Sequence, residues 1–321
     1  MAVLACSVRD TLPPAASVPL FAMFNPNELQ KLRVPVVAAP MFLVSGPELV
    51  VASAQAGIVG AFPTLNARTP EILDAWLLDM AQRTRGAQGT IAANLILHPS
   101  NPRRDIDLEM VIRHQVPYII TSVGSPAPVV ERVRAYGGRV LADVATIRHA
   151  RKAIDAGVDM LVLLTAGAGG NTGWLNPFAF IEEVRSFWSG PLAVAGGITT
   201  GRQVRAAQIA GADLAYVGTP FIATHESLAA DGYKSALCGA GADDIVLTDA
   251  VTGIPANFLA SSLRGNGIMK ADGSLLPKGA TDIASWKTAW SAGHGVGSVK
   301  AVCSVAQRVD AIASQWLAAG R

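Results

Sequence analysis

The sequence predicts a parallel α/β fold closed into a (β/α)8 TIM barrel with a helical cap on its C-terminal side. Three observations predict it. Short, mostly apolar runs rich in β-branched residues recur along the chain; amphipathic segments that carry the charges lie between them; and these segments end at or near a glycine. Runs that are apolar rather than alternating suit strands buried on both faces, as in a sheet covered by crossover helices.

Taken in order, the runs are "VPVVAAP" from Val34, "GIVGAF" from Gly57, "TIAANLI" from Thr90, "PYIITSV" from Pro117, "RVLADV" from Arg139, "DMLVLLT" from Asp159, "PLAVAGG" from Pro191 and "DLAYVGT" from Asp213. Segments such as "ERVRAYG", "TIRHARKAIDAG" and "GRQVRAAQIAGAD" read as the helices between them. Eight such units extend to Ser227, close to the length a closed barrel needs, whereas an open doubly wound sheet more often uses fewer strands. Residues 1–227 are therefore expected to form the barrel. Residues 228–297, where Gly- and Pro-rich connections replace the strand runs, are expected to form a mainly helical cap. In residues 298–321, Val302, Val305, Val309, Ile312 and Trp316 make one apolar stripe, so a terminal helix should pack back on the barrel wall.

Composition narrows the function classes. Half of the 321 residues are hydrophobic and only 16% are charged; 26 basic against 24 acidic residues leave a net charge of +2 with no basic block, which argues against nucleic acid as a partner. The long uncharged stretches 49–67 and 160–181 are broken by Gly, Pro, Asn and Thr, so neither reads as membrane-spanning. Met1 to Phe24 lacks a continuous apolar core, and Cys6, Cys238 and Cys303 are widely spaced, so a cytoplasmic location with ordinary thiols and no metal site is expected. Low charge content hints at a subunit contact in a homo-oligomer.

In such barrels the chemistry lies just after each strand. Those positions are Ala39, Pro40 and Met41, then Asn94 with His98, Ser122, Asp143, the glycine stretch with Gly169, Gly170 and Asn171, Gly196 and Gly197, and Gly218 with Thr219. Glycines alone make tight turns. Paired at the seventh and eighth units, beside helix N-termini, they suit a phosphate-bearing ligand.

"APMFLVSGPELVVASAQAGIVGAF", "ANLILHPSN", "AGAGGNTG", "AVAGGITTGRQVRAAQIAGADLAYVGTPFIATHES", "VTGIPANF" and "WSAGHGVGS" occur in an order that resembles the nitronate monooxygenase family, also called the 2-nitropropane dioxygenase family. The resemblance spans about Val34 to Ser298. It implies one FMN, with the phosphate on Gly196, Gly197, Gly218 and Thr219, the backbone of Ala39 to Met41 lining the ring, and Asn94 bonded to it. Capping or turn roles are the structural alternative for Asn94.

Two positions depart from the family. Many members carry a histidine where this chain has Asn171, and that histidine takes the α-proton of a neutral nitroalkane; an amide cannot. At Asp143, where many relatives carry a lysine near the flavin, a carboxylate should disfavour the anionic reduced coenzyme, although a buried or capping carboxylate fits equally well.

Among the histidines, His98 could overhang the flavin and His294 could fold over the mouth. His114 and His149 are expected to be solvated, and His225 to be structural. Trp174, Trp286 and Trp290 could wall the substrate space or simply pack.

The resulting expectation is an FMN-dependent monooxygenase that denitrifies alkyl nitronates with oxygen or another acceptor. Two alternatives stand: an NAD(P)H-dependent reductase of quinones or enoyl-acyl carriers, and a barrel that binds FMN or a sugar phosphate without turnover.

Overall fold

The computed structural model describes residues 29–251, 253–277 and 285–320. Cys6 and the segment Met1 to Phe24 lie outside them. The chain runs through β1 (Val36–Ala38), α1 (Pro47–Gln55), β2 (Val59–Pro63), α2 (Pro70–Arg83), β3 (Thr90–Ile96), α3 (Arg104–Arg113), β4 (Tyr118–Ser122), α4 (Ala127–Arg134), β5 (Arg139–Val144), α5 (Ile147–Asp155), β6 (Met160–Leu164), β7 (Gly170–Asn171), α6 (Pro177–Arg185), β8 (Leu192–Ala195), α7 (Gly201–Ile209), β9 (Leu214–Val217), α8 (Thr219–Ile222), α9 (Asp231–Gly239), β10 (Ile245–Thr248), β11 (Ala256–Leu259), α10 (Ala260–Gly265), α11 (Ser285–Thr288) and α12 (Val305–Ala318).

Eight strands close a parallel barrel in the order β1-β2-β3-β4-β5-β6-β8-β9, with Val37 opposite both Val59 and Tyr216 where the ring joins. All eight apolar runs read from the sequence are strands of this ring. Several helices start where the sequence supplies a cap. Thr69 precedes Pro70 and accepts from Ile72, Asn176 precedes Pro177 and accepts from Phe178, and Thr200 forms a capping box with Gln203.

Inward side chains follow the period of two. Val37, Val59, Tyr118, Met160 and Leu214 belong to the buried interior of the ring. Alanines 39, 61, 92, 193 and 195 share that interior, so bulk is sparing there. One step further along their strands come Asn94, Ser122 and Asp143. A second, larger core between ring and helices includes Phe62, Leu77, Ile119, Leu163 and Phe180. Among the described residues, no helix is long and apolar enough to cross a membrane.

Two features go beyond the sequence expectation. Past Ser227 the chain carries strands as well as helices: β10 and β11 pair antiparallel, and β11 also pairs with β7, so the glycine stretch after β6 is tied into a small sheet. The terminal helix begins at Val305 rather than near Ser298, because Ser304 and Gln307 form a capping box there.

That helix lies against α7 at an unusually close approach. A Cβ on Gly201 would sit 2.0 Å from the Ile312 carbonyl oxygen and 2.3 Å from the Trp316 nitrogen, both backbone atoms. Backbone cannot swing aside as a side chain tip can. Gly201→Ala is therefore expected to push α12 off the wall and cost about 1–3 kcal/mol, read as a lowered midpoint in thermal or urea denaturation.

Candidate active site

The strand ends place a connected polar line across one side of the barrel mouth. Asn94 Nδ2 donates to the Ile120 carbonyl (3.1 Å) and to Ser122 Oγ (2.7 Å), and Ser122 Oγ donates to Asp143 Oδ2 (2.5 Å). These three expected residues are thus one network. Burial pushes the Asp143 carboxyl up to about 7, against a smaller lowering by the Ser122 hydrogen bond. Its Oδ1 is buried with no partner. Tyr216, on β9 and 7% exposed, also has an unpartnered buried hydroxyl; burial drives its phenol well above the ordinary range, and the Asp143 charge adds to this.

On the β1 side, the loop after Ala39 is held by a residue the sequence reading did not single out. Asn66 donates to the carbonyls of Met41 (2.9 Å) and Ser45 (2.8 Å) and accepts from the Leu43 amide (2.9 Å). Leu43 sits at φ 61° and Val123, next after Ser122, at φ 55°. Such backbone costs roughly 1–3 kcal/mol per residue and tends to mark functional rims. Met41 lies beside the expected phosphate glycines: a Cβ on Gly218 would meet its sulfur at 3.4 Å. Pro40 lies between Ala39 and Met41 in the same loop.

The glycine rim is gathered by a turn from the far end of the chain. Residues Gly293 to Ser298 lie directly on it: the His294 amide donates to the Gly167 carbonyl (3.0 Å), the Gly293 amide donates to Thr219 Oγ1 (2.9 Å), and a Cβ on Gly295 would stand 2.7 Å from the Gly197 carbonyl oxygen. The expected donors divide. The amide of Gly197 is spent on the Gly167 carbonyl, and those of Thr199 and Thr200 on Gln203 Oε1. Among the described residues, the amides of Gly196, Gly218 and Thr219 make no hydrogen bond.

Gly169 packs under Ala292 and Gly293, while Gly170 and Asn171 form β7. Asn171 is exposed and pairs with Ala256 of β11. Beside it in β11, Asn257 is 2% exposed, donates from Nδ2 to the Ala168 carbonyl (2.7 Å), and keeps a buried Oδ1 without a partner. Nothing local in "VTGIPANF" marks this asparagine; only its pairing with Gly170 brings it over the mouth.

Other expected residues lie elsewhere or serve locally. His98 is exposed, and its Nδ1 accepts from the Ser100 amide (3.2 Å) in the turn before α3. His114 is a correction: it is 8% exposed and its Nε2 lies 2.6 Å from Asp74 Oδ1, because the end of α3 packs on α2. His294 is exposed with its ring against Gly167, within 2.9 Å of where a Cβ would stand. Trp290 stacks on Tyr233 with ring centres 5.3 Å apart, Trp174 is 76% exposed, and the side chain of Trp286 lies outside the described residues.

The arrangement suits a ligand with a polar ring edge and an anionic tail. Native proteins seldom leave buried polar atoms unpaired, yet Thr64 Oγ1, Asp143 Oδ1, Tyr216 OH and Asn257 Oδ1 are all unpaired at strand ends or over them. Unpaired amides at Gly196, Gly218 and Thr219 supply anion donors on the other side.

Known proteins bear on what this site is. A nitronate monooxygenase of Paraburkholderia phytofirmans is 33% identical over 150 residues, 44% of this chain and 41% of the relative. The (3aS,4S,5R,7aS)-5-hydroxy-7a-methyl-1-oxo-octahydro-1H-indene-4-carboxyl-CoA dehydrogenase of Rhodococcus jostii is 27% identical over 237 residues, 74% of this chain and 65% of the relative. The chain thus spans less than two thirds of the length of these curated relatives. Among solved structures, nitroalkane oxidase from Streptomyces ansochromogenes superposes with a TM-score of 0.76 at 24% identity, covering 91% of this chain and 98% of that one. FabK from Thermotoga maritima gives 0.76 at 24%, covering 91% and 95%. At that identity the likeness establishes the fold alone. The family described as nitronate monooxygenase matches residues 74–272, more than half of the chain, and the protein belongs to that family.

Proposed function

We propose that the chain is an FMN-dependent oxidoreductase that oxidatively denitrifies alkyl nitronates. The observation that carries this reading is the pairing, at one barrel mouth, of unbonded glycine amides with unpartnered buried polar atoms. Gly196, Gly218 and Thr219 would hold the phosphate through their amides, with Gly197 shaping the turn. Ala39, Pro40 and Met41 would back the ring, and Asn94 would bond its polar edge. The chemistry a bound FMN would supply there is electron transfer from the substrate to oxygen.

What the protein's own residues contribute is binding and protonation control. Asn171 has no basic nitrogen and cannot take the α-proton of a neutral nitroalkane, but its amide can donate a hydrogen bond to a nitronate oxygen. His98, whose Nδ1 accepts from the Ser100 amide, would offer its other ring nitrogen to the substrate as a contact. A nitronate arrives already deprotonated, so the site needs no base. The expected outcome is turnover of ethyl or propyl nitronate at least about 100-fold faster than of the parent nitroalkane, the scale of a missing general base. Asn171→His should narrow that gap. Equal wild-type rates on both, measured as nitrite release, would contradict the assignment.

A second reading is favoured by the dehydrogenase acting on a carboxyl-CoA, which matches across 74% of this chain. Here NAD(P)H would reduce the flavin for a quinone or an acyl thioester. Rapid anaerobic bleaching of the flavin by NADH, without nitronate oxidation, would select it. Inertness to both substrate classes would leave a binding barrel.

A further inference from the structure

We propose that the exposed face of α5 and the aromatic residues at the start of α6 form a docking site for the adenosine end of a phosphorylated nucleotide, with the base on Trp174 and the ribose phosphate on Arg148 and Lys152. Two tails share this chemistry: the 3′-phosphoadenosine end of an acyl-CoA and the 2′-phosphoadenosine end of NADPH. The proposal rests on the second reading above, in which NAD(P)H reduces the flavin for a quinone or an acyl thioester.

Arg148, Arg151 and Lys152 are exposed and fall at spacings of three and four, so they share one face of α5. Among the described residues none of the three forms an ion pair or a hydrogen bond, although Asp155 on α5 and Glu182 and Glu183 on α6 are exposed too. Instead the Arg151 guanidinium lies 3.9 Å from the centre of the Phe187 ring, so this face turns toward α6. Burial, with the Arg148 and Lys152 charges adding to it, holds the His149 imidazole below its ordinary range. The cations do nothing for the helix that carries them. Arg148 and Lys152 repel at i,i+4, and Arg148 stands in a first turn that holds no acid, at the positive end of the helix dipole. An anionic partner would account for them.

The aromatic half is fixed beside them. A Cβ on Gly173 would stand 2.1 Å from the Leu164 carbonyl oxygen and 3.2 Å from that of Ala145, so the chain after β7 runs hard against the connection into α5. Trp174 follows Gly173, and Thr146, the cap of α5, follows Ala145. Trp174 is 76% exposed, and Phe178, in the first turn of α6, is 61% exposed. Aromatic rings so open to water, beside unpaired guanidinium and ammonium groups, match a ligand that joins a flat base to a phosphate. The patch adjoins the ends of β5 and β6, on the mouth side of the barrel, which is where the reactive end of such a ligand must go.

Isothermal titration calorimetry of the purified protein in excess FMN tests this, with adenosine 3′,5′-bisphosphate, adenosine 2′,5′-bisphosphate and AMP as probes. At least one bisphosphate should bind about 10-fold or more tightly than AMP, and which one does so tells the acyl-CoA tail from that of NADPH. Arg148→Glu combined with Lys152→Glu should weaken that bisphosphate at least about 10-fold, and Trp174→Ala about 5-fold or more. All three side chains are exposed, so the variants should melt as the wild type does. Should the charge reversal not fold, Arg148→Gln with Lys152→Gln takes its place, with a loss in the same direction.

Unchanged binding in the charge variant overturns the inference. So does a loss there with none in Trp174→Ala, the mark of a patch that takes any polyanion, an acidic protein surface included. If neither bisphosphate binds while NAD(P)H still bleaches the flavin, this inference falls alone. If NAD(P)H also leaves the flavin unchanged, the reductase reading falls with it.

Discussion

At pH 8 the Asp143→Asn variant is expected to be more stable than the wild type, and the advantage should disappear in acid. The cause is burial. Asp143 ordinarily would titrate at 3.8, but in the folded barrel it holds its proton to about pH 7. Between those values the folded state binds the proton and the unfolded chain does not, so wild-type stability falls as pH rises from about 4 to 7 and then levels off. An asparagine never ionises and escapes this loss. The full shift would correspond to about 4 kcal/mol; the residue keeps some contact with solvent, so about 2 kcal/mol is the expected gain. Urea denaturation of coenzyme-free protein at several pH values reads it. A variant that is no more stable than the wild type at pH 8, or equally advantaged at pH 4, would show that Asp143 is not held neutral by its surroundings.

Gly196→Ala is expected to abolish tight coenzyme binding. Gly196 sits at φ +138°, where L side chains rarely go, and a Cβ there would stand 2.1 Å from Thr165 Oγ1 and 3.0 Å from the Ala166 carbonyl oxygen. Thr165 cannot readily move, because its hydroxyl donates to the Ala195 carbonyl at 2.6 Å, one residue before the glycine. The turn must therefore shift, and with it the unpaired Gly196 amide. A loss of FMN affinity of about 100-fold or more is expected, on the scale of about 3 kcal/mol. Combining it with Thr165→Ala should relieve the clash but not the backbone conformation, so only part of the affinity should return.

How far the sequence led can be judged residue by residue. The ring was legible because every strand is buried on both faces, and apolar runs such as "DMLVLLT" have little alternative. The caps at Thr69, Thr146, Asn176 and Thr200 are likewise local signals. Asn94, Ser122 and Asp143 were legible as strand ends, but that they form one network follows from the alignment of β3, β4 and β5, which no single stretch encodes. The same holds for β7: two residues, one a glycine, have no strand signal of their own and are strands only because β11 lies beside them. Asn257 was missed for that reason. The sequence around His114 suggests a solvated ring, whereas its partner, Asp74, is far away in sequence and reaches it only through helix packing. The phosphate donors were expected from glycines alone, and Gln203 claims two neighbouring amides that composition could not exclude.

The most direct measurement is the visible spectrum of purified protein titrated with FMN, wild type beside Gly196→Ala. The account predicts an oxidised-flavin band with one FMN taken up per chain by the wild type and negligible uptake by the variant. A colourless wild type that takes up no FMN, or a Gly196→Ala protein that binds it equally well, would contradict the account.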